Sequence, residues 1–264
     1  MYDFNGKVVL VTGGAVGIGF SCVKEILRAG AQGVTIADIN EANGKAAENE
    51  LAKVFGSNKV LFLNVDVTKQ DEFEDAFEKT LKKWKTIDIL INNAGTFNDK
   101  QWEFQIDLNV TAMVRGNLLG LQYMGKDRGG KGGIIVNMAS ILGLQETHTL
   151  PIFSGTKHFT IGLTRSLGTP YHFDRTGVRI AAICPGYTST PLADYIRQTD
   201  APFLSPDLWQ LYVKGDKDIP KQPAESVAAG VITCIKEGKN GSVWVVENKE
   251  HYEIVLPDRK TLRK

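Results

Sequence analysis

Residues 11–20, VTGGAVGIGF, set Gly13, Gly17 and Gly19 between a short apolar run and the first amphipathic segment. At such a junction backbone N–H groups and a helix amino terminus converge, and residues without a Cβ let a diphosphate come close to them. About twenty residues further on, a carboxylate at the tip of the second strand accepts hydrogen bonds from the ribose hydroxyls of a dinucleotide. Here GVTIAD ends in Asp38. The same charge repels a ribose phosphate, and Ala15, Val16 and Ile39 bring no cation to offset it, so the pattern favours NAD over NADP. A second stretch, LPIFSGTKHF from Leu150 to Phe159, sets Phe153 four residues ahead of Lys157. Positions i and i+4 share a helix face, which puts an ammonium beside a ring that has no ionisable proton.

These groups act together only if strands and helices bring them to one edge of one sheet. Short apolar runs alternate with amphipathic ones: KVVLVT, a helical pattern from about Gly17, GVTIAD, EANGKAAENELAKVF, KVLFLNVDVT and DEFEDAFEKTLKKW. Further strand patterns follow at IDILINN, GGIIVNMAS, VRIAAICPG and GSVWVVE. Repeated βαβ units place strands in parallel with helices on both faces, and strands that are apolar on both sides fit a sheet buried on both sides. The expected fold class is therefore α/β: one Rossmann-type, doubly wound parallel sheet in a single domain over residues 1–264. The lysines from Lys79 to Lys85 read as an exposed helix end, where cations complement the helix dipole. Residues 191–222 have no evident place in the sheet and carry Phe203, Leu204, Leu208, Trp209, Leu211 and Tyr212. They follow a strand at the carboxyl edge, so they read either as a helical cover over an apolar substrate or as ordinary helix packing.

Bulk composition narrows the function classes. A chain of 264 residues with 42% apolar content can bury one sizeable core. Its formal net charge of +1 gives no large field to recruit nucleic acid or an acidic membrane, which leaves small-molecule chemistry as the expectation. Cys22, Cys184 and Cys234 are odd in number and far apart, so they outline neither a disulfide framework nor a metal site. The opening residues enter a strand pattern at once, and no apolar run is long enough to span a bilayer. A cytoplasmic setting is expected.

Seven blocks, TGGAVGIG, NVDV, NNAG, DLN, NMAS, FSGTK and CPGYTST, occur in an order and spacing that resemble the short-chain dehydrogenase/reductase family over nearly the whole chain. GIIVNMAS, TKHFTIGLTRSL and RIAAICPGYTSTPL look most like the branch that holds NAD-dependent 15-hydroxyprostaglandin dehydrogenases and insect-type alcohol dehydrogenases. The resemblance implies NAD as cofactor and a secondary alcohol or ketone on a small apolar molecule as substrate. It adds Ile18 and Ile39 to the cofactor contacts near the glycine turn and Asp38. Asp66 and Val67 would flank the adenine, and Asn93 and Gly95 would lie along the cofactor. Pro185 and Gly186 would form the turn beside the nicotinamide, with Thr188 and Thr190 near its carboxamide. On the chemical side, Asn109 resembles the asparagine that holds a relay water, and Ser140 the serine that orients the substrate oxygen. Lys157 resembles the lysine that binds the nicotinamide ribose and lowers the pKa of a tyrosine one turn earlier. His148, Leu150 and Tyr187 are expected near the substrate. A homodimer or homotetramer would join through the helix around Asn109 to Met124 and the helix carrying Lys157.

The tyrosine position of that pattern is Phe153. Three readings stand side by side. The ring records a tyrosine replaced to stall turnover, or a natural binding or sensing protein, or an enzyme with a rerouted proton path through His148 or Tyr187. His158, beside Lys157 on the helix, and Tyr171, beyond the helix end, are placed to point elsewhere.

Overall fold

The computed structural model describes residues 2–216 and 219–263. Residues 217 and 218 of the expected cover, and both end residues of the expected domain, lie outside the described residues. Strand β1 (Val8–Thr12) leads into α1 (Gly17–Arg28), β2 (Gly33–Asp38), α2 (Glu41–Phe55), β3 (Val60–Asn64), α3 (Gln70–Trp84) and β4 (Ile89–Asn92). The second half runs through α4 (Trp102–Ile106), α5 (Ala112–Met124), β5 (Gly133–Met138), α6 (Pro151–Leu167), α7 (Pro170–Thr176) and β6 (Val178–Pro185). After it come β7 (Thr188–Ser189), α8 (Pro191–Gln198), α9 (Pro206–Asp216), β8 (Gln222–Pro223), α10 (Ala224–Glu237), β9 (Val243–Glu247) and β10 (Glu250–Ile254).

Eight strands form one sheet in the order β10-β9-β6-β5-β4-β1-β2-β3. All neighbours are parallel except β10, which runs antiparallel to β9. The chain thus winds outward from β1 in both directions, so β1 and β4, neighbours in space, begin opposite halves. Their carboxyl ends part there and leave a crevice of the kind that binds ligands in open α/β sheets. The central strands are buried along their whole length, as their uninterrupted Val, Ile and Leu require. One core face packs Val9, Val11, Ile36, Ile89 and Ile91 under α1 and α10; the other packs Leu10, Leu90 and Ile135 under α3 and α5.

Within this sheet β10 is an addition to the seven expected strands, and the short β7 and β8, also not expected, pair with each other outside it. The residues of β10 are mostly exposed and mix Glu, His and Tyr, so this strand carries no run of apolar residues. Asn248 and Lys249 at φ 50° and 68° make the tight turn that folds it back on β9. α3 ends at Lys85 in the left-handed conformation, with Lys82 and Lys83 in its last turn.

Candidate active site

The site is built on the crevice between β1 and β4. Thr12, the last residue of β1, accepts hydrogen bonds at Oγ1 from the backbone N–H groups of Asn93 (2.9 Å) and Ala94 (3.0 Å). Asn93 returns the tie, its Nδ2 donating to the carbonyls of Thr12 (2.9 Å) and Gly13 (3.0 Å). The glycine turn is thereby fixed to the neighbouring strand. Gly13 and Gly17 hold φ of +61° and +58°, a region costly for residues with a Cβ. A Cβ on Gly19 would run into the Gly13 carbonyl and stand 2.7 Å from Asn93 Nδ2. α1 starts without a side-chain cap and without an acidic residue in its first turn. Its first N–H groups and positive dipole end are left for an anion.

Asp38 faces the same turn from the tip of β2. Its Oδ2 accepts from Ala15 N (3.0 Å) and its Oδ1 from Asn40 N (3.0 Å), which fixes the carboxylate and leaves each oxygen a further lone pair. Asp66 follows β3 and uses Oδ1 to accept from the N–H and hydroxyl of Thr68, as a turn former does. On the other side, Thr188 Oγ1 donates to the Gly186 carbonyl (2.9 Å), and Thr190 caps α8 by accepting from Ala193 N (3.2 Å). Thr190 reaches over the crevice, so that a Cβ on Gly17 would touch its methyl at 3.3 Å.

The chemical end lies where β5 gives way to α6. Lys157 is 5% exposed, and its Nζ donates to the Met138 carbonyl at 2.9 Å. Burial pulls its pKa down from 10.5 to about 8, because a charged ammonium loses hydration there and gains little in return. One turn earlier, the Phe153 ring lies 5.5 Å from that ammonium and 4.1 Å, centroid to centroid, from the Phe97 ring. Phe153 is 4% exposed and belongs to an apolar cluster with Leu150, Ile196 and Phe203. Ser140 caps a short turn by accepting from Leu142 N at 3.1 Å, and its own proton remains a donor.

Asn109 is placed differently from the other site residues. It sits in a widened helical turn, Asp107–Thr111, between α4 and α5, and is 1% exposed. Its Oδ1 accepts from Thr96 N, and its Nδ2 donates to the Thr96 carbonyl and Thr156 Oγ1. Gly95 lies close to both Asn109 and Lys157: a Cβ there would be 3.2 Å from Asn109 Oδ1 and 3.7 Å from Lys157 Nζ. Asn109 stands behind the wall of the cleft rather than on it.

One continuous cleft of about 690 Å³ joins the rest. At one end are Gly13, Gly17, Ile18, Gly19, Asp38 and Ile39, followed by Asp66 and Val67. The middle holds Asn93, Gly95, Ser140, Lys157, Pro185 and Gly186, flanked by Thr188 and Thr190. His148, Leu150, Phe153 and Tyr187 line the far part, together with Ile196, Leu211, Tyr212 and Ile219 of the 191–222 segment. Trp209 Nε1 ties α9 to the Ile196 carbonyl of α8 at 3.2 Å. Among the described lining residues Lys157 is the one Lys or Arg. His158 instead turns its Nδ1 to the Ser154 carbonyl, and Tyr171 is 71% exposed. Phe97, Phe104 and Leu108 also line the cleft, three residues that sequence reading passed over. Phe97 follows NNAG at the end of β4, so its position beside the glycine turn was the available signal.

A model of the short chain dehydrogenase family matches residues 7–201. The chain is 36% identical to 15-hydroxyprostaglandin dehydrogenase [NAD(+)] of Bos taurus over 247 residues, 92% of this chain and 91% of that one. It is 33% identical to alcohol dehydrogenase 2 of Ceratitis capitata over 194 residues, 73% of this chain and 74% of that one. Among solved structures, a short chain dehydrogenase/reductase from Burkholderia phymatum in complex with NAD superposes with a TM-score of 0.78 at 21% identity. That match covers 90% of this chain and 89% of the other, and shows the shared fold.

Proposed function

The chain belongs to the short-chain dehydrogenase family, and on that premise we propose that it binds NAD and is built to oxidise a secondary alcohol on an apolar small molecule, with turnover held far down by Phe153. The substrate class is a prostaglandin, hydroxylated fatty acid, steroid or terpenol, in keeping with the apolar far wall of the cleft. The observation that carries the reading is the single cleft running from the glycine turn and Asp38 to Ser140, Phe153 and Lys157.

When bound, NAD supplies the hydride acceptor, and the protein supplies position and proton traffic. The open N–H groups of α1 hold the diphosphate, and Asp38 takes the adenosine ribose hydroxyls while its charge excludes a ribose phosphate. Lys157 donates to the ribose beside the nicotinamide. Ser140 donates its hydroxyl proton to the substrate oxygen and so orients the carbinol. Oxidation then needs a base to take the alcohol proton, and the ring at position 153 has no oxygen to do it. Loss of a positioned acid–base group costs typically 10² to 10⁴ in rate, about 3–5 kcal/mol of barrier. Binding is expected to survive, because the phenyl ring keeps the apolar contacts a phenol would make.

A second reading, a noncatalytic protein that binds NAD or a lipid-like ligand, draws on the packing of Phe153 against Phe97, Ile196 and Phe203, an apolar sleeve for its ring. Phe153→Tyr separates the two. NADH formation is followed across secondary alcohols including hydroxylated fatty acids, steroids and terpenols. A rise of about 10² or more on one of them supports the enzyme; unchanged NAD affinity with no turnover on any supports the binder. The reading also includes a homodimer or homotetramer through α5 and α6, supported by the exposed Leu118 and Phe159 on those helices. Its cytoplasmic setting draws on three buried, unbridged cysteines.

A further inference from the structure

Asp99 is fully buried, 0% exposed, in a short turn (Asp99–Gln101) that follows β4. Its carboxylate reaches across 53 and 54 positions of sequence to the first turn of α6. Oδ2 accepts from Ile152 N and Oδ1 from Phe153 N, both at 2.9 Å. Gln105 Nε2 donates to Oδ1 at 2.8 Å and braces the carboxylate from α4. Leu150, at the helix amino terminus, offers no side-chain cap of its own, and the first turn of α6 holds no acidic residue. Asp99 therefore supplies from outside what that helix lacks, a charged acceptor at its positive dipole end.

The next residue grips the opposite wall. Lys100 N donates to the Pro202 carbonyl at 3.1 Å, and the following residue of that chain, Phe203, is buried in the cluster that surrounds Phe153. Two adjacent residues of one turn thus hold the helix bearing Phe153 and Lys157 and the segment lining the substrate end. Gln105 connects the same turn to the helical stretch that carries Asn109.

We infer that Asp99 is a positioning residue: it sets the first turn of α6 against the 199–204 stretch, and thereby fixes where position 153 stands relative to bound substrate. Its consequence for turnover rests on the proposed dehydrogenase reading; its consequence for structure does not.

The test is amide hydrogen exchange, read by peptide, on the full chain and on Asp99→Asn. The amide nitrogen of Asn replaces one acceptor oxygen with a donor that faces another N–H. Exchange of peptides spanning 150–157 and 199–204 is expected to quicken about tenfold to 100-fold, with α1 and β5 unchanged. Should Asp99→Asn not fold, Gln105→Leu removes one of the three bonds and is expected to quicken the same two peptides by a smaller factor. Unchanged exchange in both peptides, or a uniform rise across the chain, overturns the inference. In a Phe153→Tyr background that turns over, Asp99→Asn is expected to lower kcat about tenfold or more while KM for NAD moves less than about threefold, since the displaced helix turn meets substrate rather than the glycine turn. An equal loss in both constants contradicts a positioning role. If Phe153→Tyr never turns over, the dehydrogenase reading falls and the exchange result still decides the role of Asp99.

Discussion

Lys157 is a buried ammonium whose hydrogen-bond partner is a carbonyl, not a carboxylate, and its lowered pKa records what that placement costs the fold. Below about pH 8 both the folded and the unfolded chain hold the proton, and the native state bears the full penalty of the buried charge. Between about 8 and 10.5 the folded chain sheds the proton that the unfolded chain still holds, so stability climbs with pH over that window. Lys157→Met is accordingly expected to raise the thermal midpoint at pH 7 and to weaken NAD binding, a trade of stability against function. Thermal scans at a series of pH values check it: the gain of the methionine variant should shrink from pH 8 to 10.5, and a gain that grows over that range contradicts the assigned cause. Much at this scale was legible in the chain. The glycine spacing and Asp38 carry their chemistry in their order along the sequence. Asp99 does not, since nothing in NDKQW announces a cap for a helix more than fifty residues away. Asn109 lies beside Gly95 with its side-chain amide bonded to Thr96 and Thr156, partners that its motif does not name.

Helix α6 is the element on which the chemical end depends, and it is pinned at both ends. Asp99 holds the start. At the finish, Asn240 Nδ2 donates to the Gly168 carbonyl at 2.7 Å, and a Cβ on Gly168 would run into the backbone of Gly241. Gly241 in turn donates from its N–H to the Ile180 carbonyl of β6 at 2.7 Å, so the helix end is carried by the sheet. Gly168→Ala is therefore expected to destabilise the chain by about 1–3 kcal/mol through overpacking. Chemical denaturation checks it, and an unchanged midpoint would show that the two backbones can part freely. Helix α6 is read from the family motif and the Phe153–Lys157 spacing, whereas the alternation of apolar with amphipathic runs gives the seven strands, apolar on both sides as a sheet covered on both faces requires. That alternation cannot give β10, whose residues are held by a hairpin turn and backbone pairing to β9 rather than by burial, nor the widened turn at Asp107–Thr111, which leaves no mark on hydrophobic spacing.

Over the whole molecule, one sheet divides the labour: the crevice between β1 and β4 gathers the polar groups, and the segment from α8 to α9 lines the apolar end with Ile196, Leu211 and Tyr212. The faces of α5 and α6 that look away from the sheet leave Leu118 at 55% and Phe159 at 38% exposure, and both are expected to be covered by a second copy of the chain. Light scattering on the eluted protein should give a dimer or tetramer mass, and Leu118→Arg should shift it to monomer; a monomer from the unaltered chain contradicts that assembly. The whole-molecule order was legible because βαβ winding admits few topologies once strands and crossovers are known. Whether residues 191–222 cover a ligand or pack as ordinary helices is not written in their spacing, since apolar residues at helical intervals serve both.

The central claim, that this chain holds NAD with its nicotinamide beside Ser140, Lys157 and a ring unable to carry a proton, is tested most directly by titration calorimetry of the unaltered protein. Saturable one-to-one binding of NAD, with NADP at least about tenfold weaker because of Asp38, is the expected result. No heat from either dinucleotide, or equal affinity for both, would contradict it.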